Sequence, residues 1–85
     1  MTNDREREVG SPRRWWETIS ITCQETTVLR LSAEGRTSCE IARRMGITEN
    51  TVEEYWKRLR RKLRARNKVH AVAIALHLRL IQWPK

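Results

Sequence analysis

The chain has 85 residues, with 18 Lys and Arg against 10 Asp and Glu and a formal net charge of +8. That length allows one small domain. The longest apolar run, Ala71 to Leu76, is six residues, far short of the ~20 of a membrane span. No basic-then-apolar segment resembling a signal peptide opens the chain, and Cys23 and Cys39 do not make a secreted disulfide framework. We therefore expect a cytoplasmic protein with no membrane partner.

The positive charge is concentrated in one block. Residues 43–68 hold ten Lys and Arg against three Glu, a net of +7. Fourteen of the 18 basic residues are Arg, whose planar guanidinium suits phosphate and guanine. The block predicts a polyanionic partner, nucleic acid rather than the alternative of a membrane surface.

Residues 1–20 are predicted to form a flexible or partly helical N-terminal extension. Met1 to about Ser11 is charged and almost without apolar residues. Ser11-Pro12 can begin a short helix that carries Trp15 and Trp16. We expect at least one of these tryptophans to pack on the domain, and a partner surface is the alternative.

Residues 21–82 are predicted to form four helices and no strand, an all-α domain. Capping signals and glycine stops follow one another along the chain: Thr22 with Glu25, Gly35, Thr37 with Glu40, Gly46, Thr48 and Asn67. The second and third helices are joined only by Gly46-Ile47-Thr48. Such a pair, with the longer and more basic helix second, is the helix-turn-helix signature of DNA-binding proteins.

The third helix is predicted to be amphipathic. Its apolar residues recur at steps of four, three and four: Val52, Trp56, Leu59 and Leu63. The opposite face carries Asn50, Glu54, Lys57 and Arg61. The fourth helix is apolar on more than one face, which suggests a buried contact with another subunit.

Several motifs follow one another over about residues 21–81: Ile-Thr-x-x-Glu (21–25), Val28-Leu29, Leu31-x-Ala33-x-Gly35, Ser38-x-Glu40-Ile41-Ala42, Met45-Gly46-Ile47-Thr48, Thr51-Val52, Lys62-Leu63, Asn67-Lys68 and Ala71-Val72. Together they resemble the LuxR/GerE-type helix-turn-helix domain of bacterial transcription regulators. The segment from Asn67 to Leu76 looks most like the acyl-homoserine-lactone-responsive, quorum-sensing branch.

The resemblance implies that the third helix enters the major groove of double-stranded DNA and that the fourth helix pairs two subunits on an inverted repeat. Base-reading positions fall on Glu53, Glu54 and Lys57. Backbone contacts would come from Thr37, Thr48, Asn50, Thr51, Arg58, Arg61 and Lys62. The dimer interface would comprise Val69, Val72, Ala73, Leu76 and Leu80.

The sequence also departs from the pattern of that family. Gln24 stands where Arg is usual, Tyr55 where His is common, and Arg64 where Gly is expected, so a longer exit from the third helix is predicted. Glu53 and Glu54 stand where Lys, Val or small polar residues are frequent. They could accept a hydrogen bond from cytosine, weaken DNA binding, or pair at i,i+4, Glu53 with Lys57 and Glu54 with Arg58.

Two hypotheses follow. The first is a homodimeric, sequence-specific regulator, with recruitment of RNA polymerase as a variant. The second is an antiactivator that forms a heterodimer with a full-length LuxR-type regulator. Family members carry a ligand-binding or receiver domain before this module, and 20 residues cannot form one, so we expect no small-molecule ligand.

Neither a cofactor nor catalysis is predicted. Cys23, Cys39, His70 and His77 lack metal-ligand spacing, and we expect buried thiols and partly exposed imidazoles. Four short helices leave no cleft for a catalytic arrangement. Trp83 is expected to cover the fourth helix.

Overall fold

The computed structural model describes residues 15–83. This part of the chain contains a 3-10 turn, Trp15–Thr18, followed by four α-helices and no strand. The helices are α1 (Cys23–Ala33), α2 (Ser38–Met45), α3 (Glu49–Leu63) and α4 (Lys68–His77). The prediction of an all-α, four-helix domain is confirmed. The predicted helix start at Ser11-Pro12 lies outside the described residues.

Each helix begins at the capping residue that the sequence predicts. Thr22 and Thr37 form complete capping boxes with Glu25 and Glu40. The Thr48 side chain accepts a hydrogen bond from the Thr51 N–H group at 3.1 Å. The Asn67 side chain accepts one from the His70 N–H group at 2.8 Å. These bonds satisfy N–H groups that have no partner within the helix, which is why short helices start here.

Helix α3 lies at the centre of the fold and packs against the other three helices. Its predicted apolar stripe is confirmed, since Val52, Trp56, Leu59 and Leu63 are all buried. The remaining core comes from Val28, Leu29, Leu31, Ile41, Ala42, Ala71, Ala75 and Ile81. Because α2 and α4 both rest on this stripe, the opposite face of α3 is left to solvent.

The exit from α3 is formed by a residue other than glycine. The helix ends at Leu63, and Arg64 itself adopts the left-handed conformation, with φ 56° and ψ 40°. The next N–H group, that of Ala65, returns to the Arg60 carbonyl at 2.9 Å, as in the motif that glycine usually terminates. This hydrogen bond closes the turn without a glycine, and the predicted longer exit stays a prediction.

The tryptophans at the two ends of the domain behave differently. Trp15 packs on the domain as expected, with the Arg64 guanidinium 5.0 Å from its ring centroid. Trp16 meets Trp15 edge to face, with centroids 5.9 Å apart. Trp83 is 73% exposed, so the expectation that it covers α4 was wrong. Ile81, two residues earlier, is buried in its place.

Candidate nucleic-acid interface

The outward face of α3 presents a row of polar and charged side chains. Asn50, Glu54, Lys57 and Arg61 are all exposed, opposite the buried stripe. Glu54 accepts a hydrogen bond from the Lys57 ammonium at 3.5 Å, not from Arg58 as the i,i+4 interpretation had it. Both partners are well exposed, so the pair is weak. This face can therefore offer both a carboxylate and two cations to a ligand.

Arg58 lies to one side of this row, beside the position of Tyr55. Its guanidinium is 5.4 Å from the centroid of the Tyr55 ring. The Tyr55 hydroxyl in turn donates to the Gln24 side chain of α1 at 3.0 Å. The ring thus packs against the Arg58 guanidinium and limits the conformations of that side chain. This favours a contact between Arg58 and a fixed acceptor such as a phosphate.

The threonines predicted to meet the DNA backbone lie at helix starts. Thr37 and Thr48 are exposed N-caps of α2 and α3. The Thr48 hydroxyl also lies 3.0 Å from the hydroxyl of Thr51. The N-terminus of a helix carries partial positive charge and favours anions. The two N-caps are therefore suited to phosphate groups.

Glu53 does not share the outward face with Glu54. Its carboxylate accepts hydrogen bonds from the Ser38 hydroxyl and the Lys68 ammonium, both at 2.9 Å. The Lys68 bond lowers the pKa of Glu53 below its ordinary value, burial opposes this, and the Ser38 bond adds to the lowering. The expected i,i+4 pair with Lys57 was wrong, because the first turn of α4 brings a closer cation.

Lys62 also points away from the outward face. Its ammonium donates to the Glu25 carboxylate and to the Ser20 carbonyl, both at 2.8 Å. Glu25 is 1% exposed. Burial raises the pKa of Glu25, but the bonds from Lys62 and the Thr22 N–H group outweigh it, so the pKa is lowered overall. Lys62 thus connects α3 to the start of α1.

Two basic residues that the sequence analysis did not single out adjoin the outward face. Arg60 and Arg66 line a shallow cavity of about 370 Å³ together with Lys57, Arg61 and Ala65. The Arg60 Nε atom is buried and has no hydrogen-bond partner. Helical spacing alone would have placed Arg60 beside Lys57. Arg66 lies in the connection between α3 and α4, where periodicity gives no signal.

The predicted dimer residues, four on α4 and Leu80 just after it, divide into two groups. Val69 is 80% exposed, and Ala73 is also exposed. Val72, Leu76 and Leu80 are half-buried against the core. The residues of α4 that the core buries completely are Ala71 and Ala75. The exposed edge of α4 borders a second cavity, of about 330 Å³, which Trp15 and Trp16 also line.

The cysteines are not where the sequence analysis expected them. Cys23 and Cys39 are both free and exposed, because each follows an N-cap on the solvent side of its helix. His70 Nδ1 accepts a hydrogen bond from the Arg66 N–H group at 3.0 Å.

Within residues 15–83, no group of three or more His, Cys, Asp or Glu side chains could hold a metal ion. Nor is any helix there long and apolar enough to cross a bilayer.

A capped helix pair with an exposed, basic second helix is the arrangement typical of helix-turn-helix DNA-binding domains. Comparison with known proteins leads to the same class of domain. The sequence profile of the family described as bacterial regulatory proteins, luxR family, matches residues 19–75. The chain belongs to this family of transcription regulators, which is not a family of enzymes.

Among curated relatives, the chain is 41% identical to the regulatory protein SdiA of Escherichia coli over 58 residues, 68% of this chain. It is also 41% identical to the transcriptional activator protein AnoR of Acinetobacter nosocomialis over 63 residues, 74% of this chain. These matches cover only 24% and 26% of the relatives. The chain therefore spans about a quarter of their length.

The fold resembles solved structures of LuxR-type receptors. A structure of the Vibrio cholerae VqmA dimer in the absence of its target DNA matches with a TM-score of 0.70 and 37% identity, over 92% of this chain and 36% of that one. A phage VqmA in complex with DPO matches with a TM-score of 0.66 and 28% identity, over 88% of this chain and 33% of the other. The match therefore covers only about a third of each solved chain.

Proposed function

We propose that this chain is a sequence-specific DNA-binding regulator whose α3 enters the major groove. The observation that carries the proposal is the exposed row of Asn50, Glu54, Lys57 and Arg61 on that helix. These types of side chain recognise base edges and phosphates, with carboxylates accepting from cytosine and Lys binding guanine. The buried stripe on the other side holds the helix against the domain while this row contacts the DNA.

Contacts to the phosphate backbone would position α3 in the groove. Thr37 and Thr48 offer helix N-termini, and Arg58, supported by Tyr55, offers a guanidinium. Thr51 lies within the first turn of α3 beside Thr48. Lys62 contributes mainly to the positive electrostatic potential of the domain, because its ammonium group already donates hydrogen bonds to Glu25 and Ser20. Such contacts fix register without carrying sequence information.

We further propose that two copies pair through the edge of α4 that carries Val69 and Ala73. Val69 is a large apolar side chain at 80% exposure, and pairing would remove it from water. Leu76, Val72 and Leu80 are half-buried and would complete the contact. Two DNA-binding domains related by a twofold axis would read half-sites about one turn of the DNA helix apart. This symmetry requires the site to be an inverted repeat.

Selection of bound duplexes from a random DNA pool tests this function. We expect enrichment of an inverted repeat by the wild-type protein. Lys57→Ala should weaken binding to the enriched duplex by ~1–3 kcal/mol and relax the preference at one base pair, because a base contact is lost. Arg61→Ala should weaken all duplexes alike. If neither substitution changes binding, α3 does not enter the groove.

A second candidate function is that of an antiactivator, which pairs with a LuxR-type regulator instead of with itself. The observation that favours it is the cavity beside α4, where Trp15 and Trp16 adjoin Ala73. Tryptophan is enriched at the centre of protein interfaces. Under this function, mixing with a full-length regulator should abolish DNA binding by that regulator, and Leu76→Glu should restore it. Inhibition that survives Leu76→Glu but not Trp16→Ala would place the interface at the tryptophans.

A further inference from the structure

Three helices of the domain meet at one carboxylate, that of Glu53. Its Oε2 atom accepts hydrogen bonds from the Ser38 hydroxyl, in the first turn of α2, and from the Lys68 ammonium, in the first turn of α4. Lys68 also donates to the Ser38 hydroxyl at 3.3 Å. The Lys68 Nζ atom lies 5.8 Å from the centroid of the Trp56 ring. We call Ser38, Glu53 and Lys68 the three-helix junction.

The junction occupies one of the two carboxylate oxygens of Glu53 and turns the side chain toward α2 and α4. A carboxylate reads cytosine by accepting a hydrogen bond from the N4 amino group. Glu53 Oε2 already accepts two bonds, one of them charge-assisted and therefore strong for its kind. Glu54 differs, because its partner Lys57 is 3.5 Å away and lies on the same exposed face. Of the two adjacent glutamates, Glu54 lies on the outward face of α3, whereas two bonds hold Glu53 toward α2 and α4.

The junction joins the parts of the domain that must keep a fixed relative geometry on DNA. Ser38 follows Thr37, the N-cap proposed to contact phosphate. Lys68 begins α4, the helix proposed to pair two copies. Glu53 lies on α3 between them. A bond network between the first turns of α2 and α4 and the second turn of α3 adds a polar restraint to the apolar packing of the three helices.

We propose that Glu53 is a positioning residue, which reads no base and sets the orientation of α3 relative to α2 and α4. This inference rests on the proposed DNA-binding function, because it concerns how the same helix is held. It assigns the two adjacent glutamates different roles. It also implies that part of the sequence preference depends on Lys68, a residue remote from the outward face of α3.

The test compares Glu53→Gln, Lys68→Met and the double variant. The measured quantity is the ratio of affinities for the enriched duplex and for a random duplex, since the ratio removes most of the general effect of charge. Each single variant should lower the ratio about two- to five-fold, the range expected for a partly exposed ion pair. The double variant should lower it no further. Repeated selection with Glu53→Gln should return the same preferred sequence.

Glu54→Gln is the matched control, because it removes an exposed carboxylate from the neighbouring position. Its effect on the ratio should add to that of Lys68→Met, since Glu54 does not contact the junction. A duplex with one extra base pair between the half-sites provides a second readout. Wild-type protein should lose more affinity on it than Glu53→Gln does, because a loosened junction lets α3 adjust. A role in stability alone would not move this readout.

A changed base preference in Glu53→Gln, with Lys68→Met unaffected, would show that Glu53 reads a base and would overturn the inference. Unchanged affinity ratios in both single variants would also overturn the inference. A wild-type protein with no preferred sequence would instead contradict the proposed function. Thermal unfolding of the same variants then tests the junction itself: non-additive changes in Tm are expected, and additive changes would refute it.

Discussion

The Tyr55 hydroxyl donates a 3.0 Å hydrogen bond to the Gln24 side chain, which connects α3 to α1. These are two of the positions at which the sequence departs from the LuxR-type pattern, Tyr in place of His and Gln in place of Arg. The hydrogen bond brings the two positions into direct contact. The Tyr55 ring also supports Arg58, so the pair lies directly beside a proposed phosphate contact.

The Tyr55–Gln24 bond should contribute measurably to stability. Tyr55→Phe removes the donor and keeps the ring, and should lower the free energy of unfolding by ~0.5–1 kcal/mol. Gln24→Ala should have an effect of similar size, and the double variant should cost no more than about one of them. Urea denaturation of the four proteins measures this. Fully additive changes would mean that the bond does not form.

Lys62 should matter for stability more than any lysine on the outward face. Lys62→Met leaves the buried Glu25 carboxylate with its bond from the Thr22 N–H group but without its cation, and a hydrogen bond to a charged group contributes ~1.5–3 kcal/mol. Lys57→Met is the matched control, because its partner Glu54 is exposed, and should change stability by less than ~0.5 kcal/mol. Equal losses of Tm in the two variants would contradict the role of Lys62.

The stability should decrease in acid through Glu25. Its folded-state pKa is lowered, so its contribution is present above the ordinary pKa of a glutamate, ~4.3, and is lost as the pH falls through the lower, folded-state value. Glu25→Gln should therefore flatten the decrease in Tm between about pH 5 and pH 3. Glu17→Gln, at an exposed site, is the control for the loss of one carboxylate. If the Tm of Glu25→Gln decreases in acid as steeply as that of the wild type, Glu25 does not cause the acid sensitivity.

The left-handed conformation of Arg64 should be costly for a side chain without compensation. The Arg64 guanidinium contacts the Trp15 ring, which offsets part of the strain. Arg64→Ala keeps the strain and loses the contact, whereas Arg64→Gly loses the contact and relieves the strain. Arg64→Gly should therefore be ~0.5–1 kcal/mol more stable than Arg64→Ala. Equal unfolding midpoints would show that the conformation is not strained.

Arg66 should contribute to the salt dependence of DNA binding. The cavity that it lines adjoins Lys57 and Arg61, so a phosphate held there would also meet the outward face. Arg66→Ala should reduce the slope of log affinity against log salt by about 1 and leave the preferred sequence unchanged. Arg30→Ala, an exposed arginine of α1 outside the cavity, is the control. An unchanged slope in Arg66→Ala would exclude a phosphate contact.

The sequence predicts those features of the fold that depend on neighbours along the chain. The Thr48 cap, the Gly46 turn and the Val52–Leu63 stripe each follow from residue types at short spacing, and all three are confirmed. The pairing of Glu53 with Lys68 was missed, because these residues are 15 positions apart and meet only when α4 folds back on α3. Exposure of Trp83 was missed for a similar reason, since Ile81 already fills the space beside α4.

The affinity of the wild-type protein for the enriched inverted repeat, compared with a scrambled duplex of the same composition at ~150 mM salt, tests the central claim most directly. A groove-reading dimer should bind its own site at least ~10³-fold more tightly than the scrambled one. Equal affinities with a steep salt dependence would show that the basic block binds DNA only through general electrostatics, and would contradict the assignment of α3 as a reading helix.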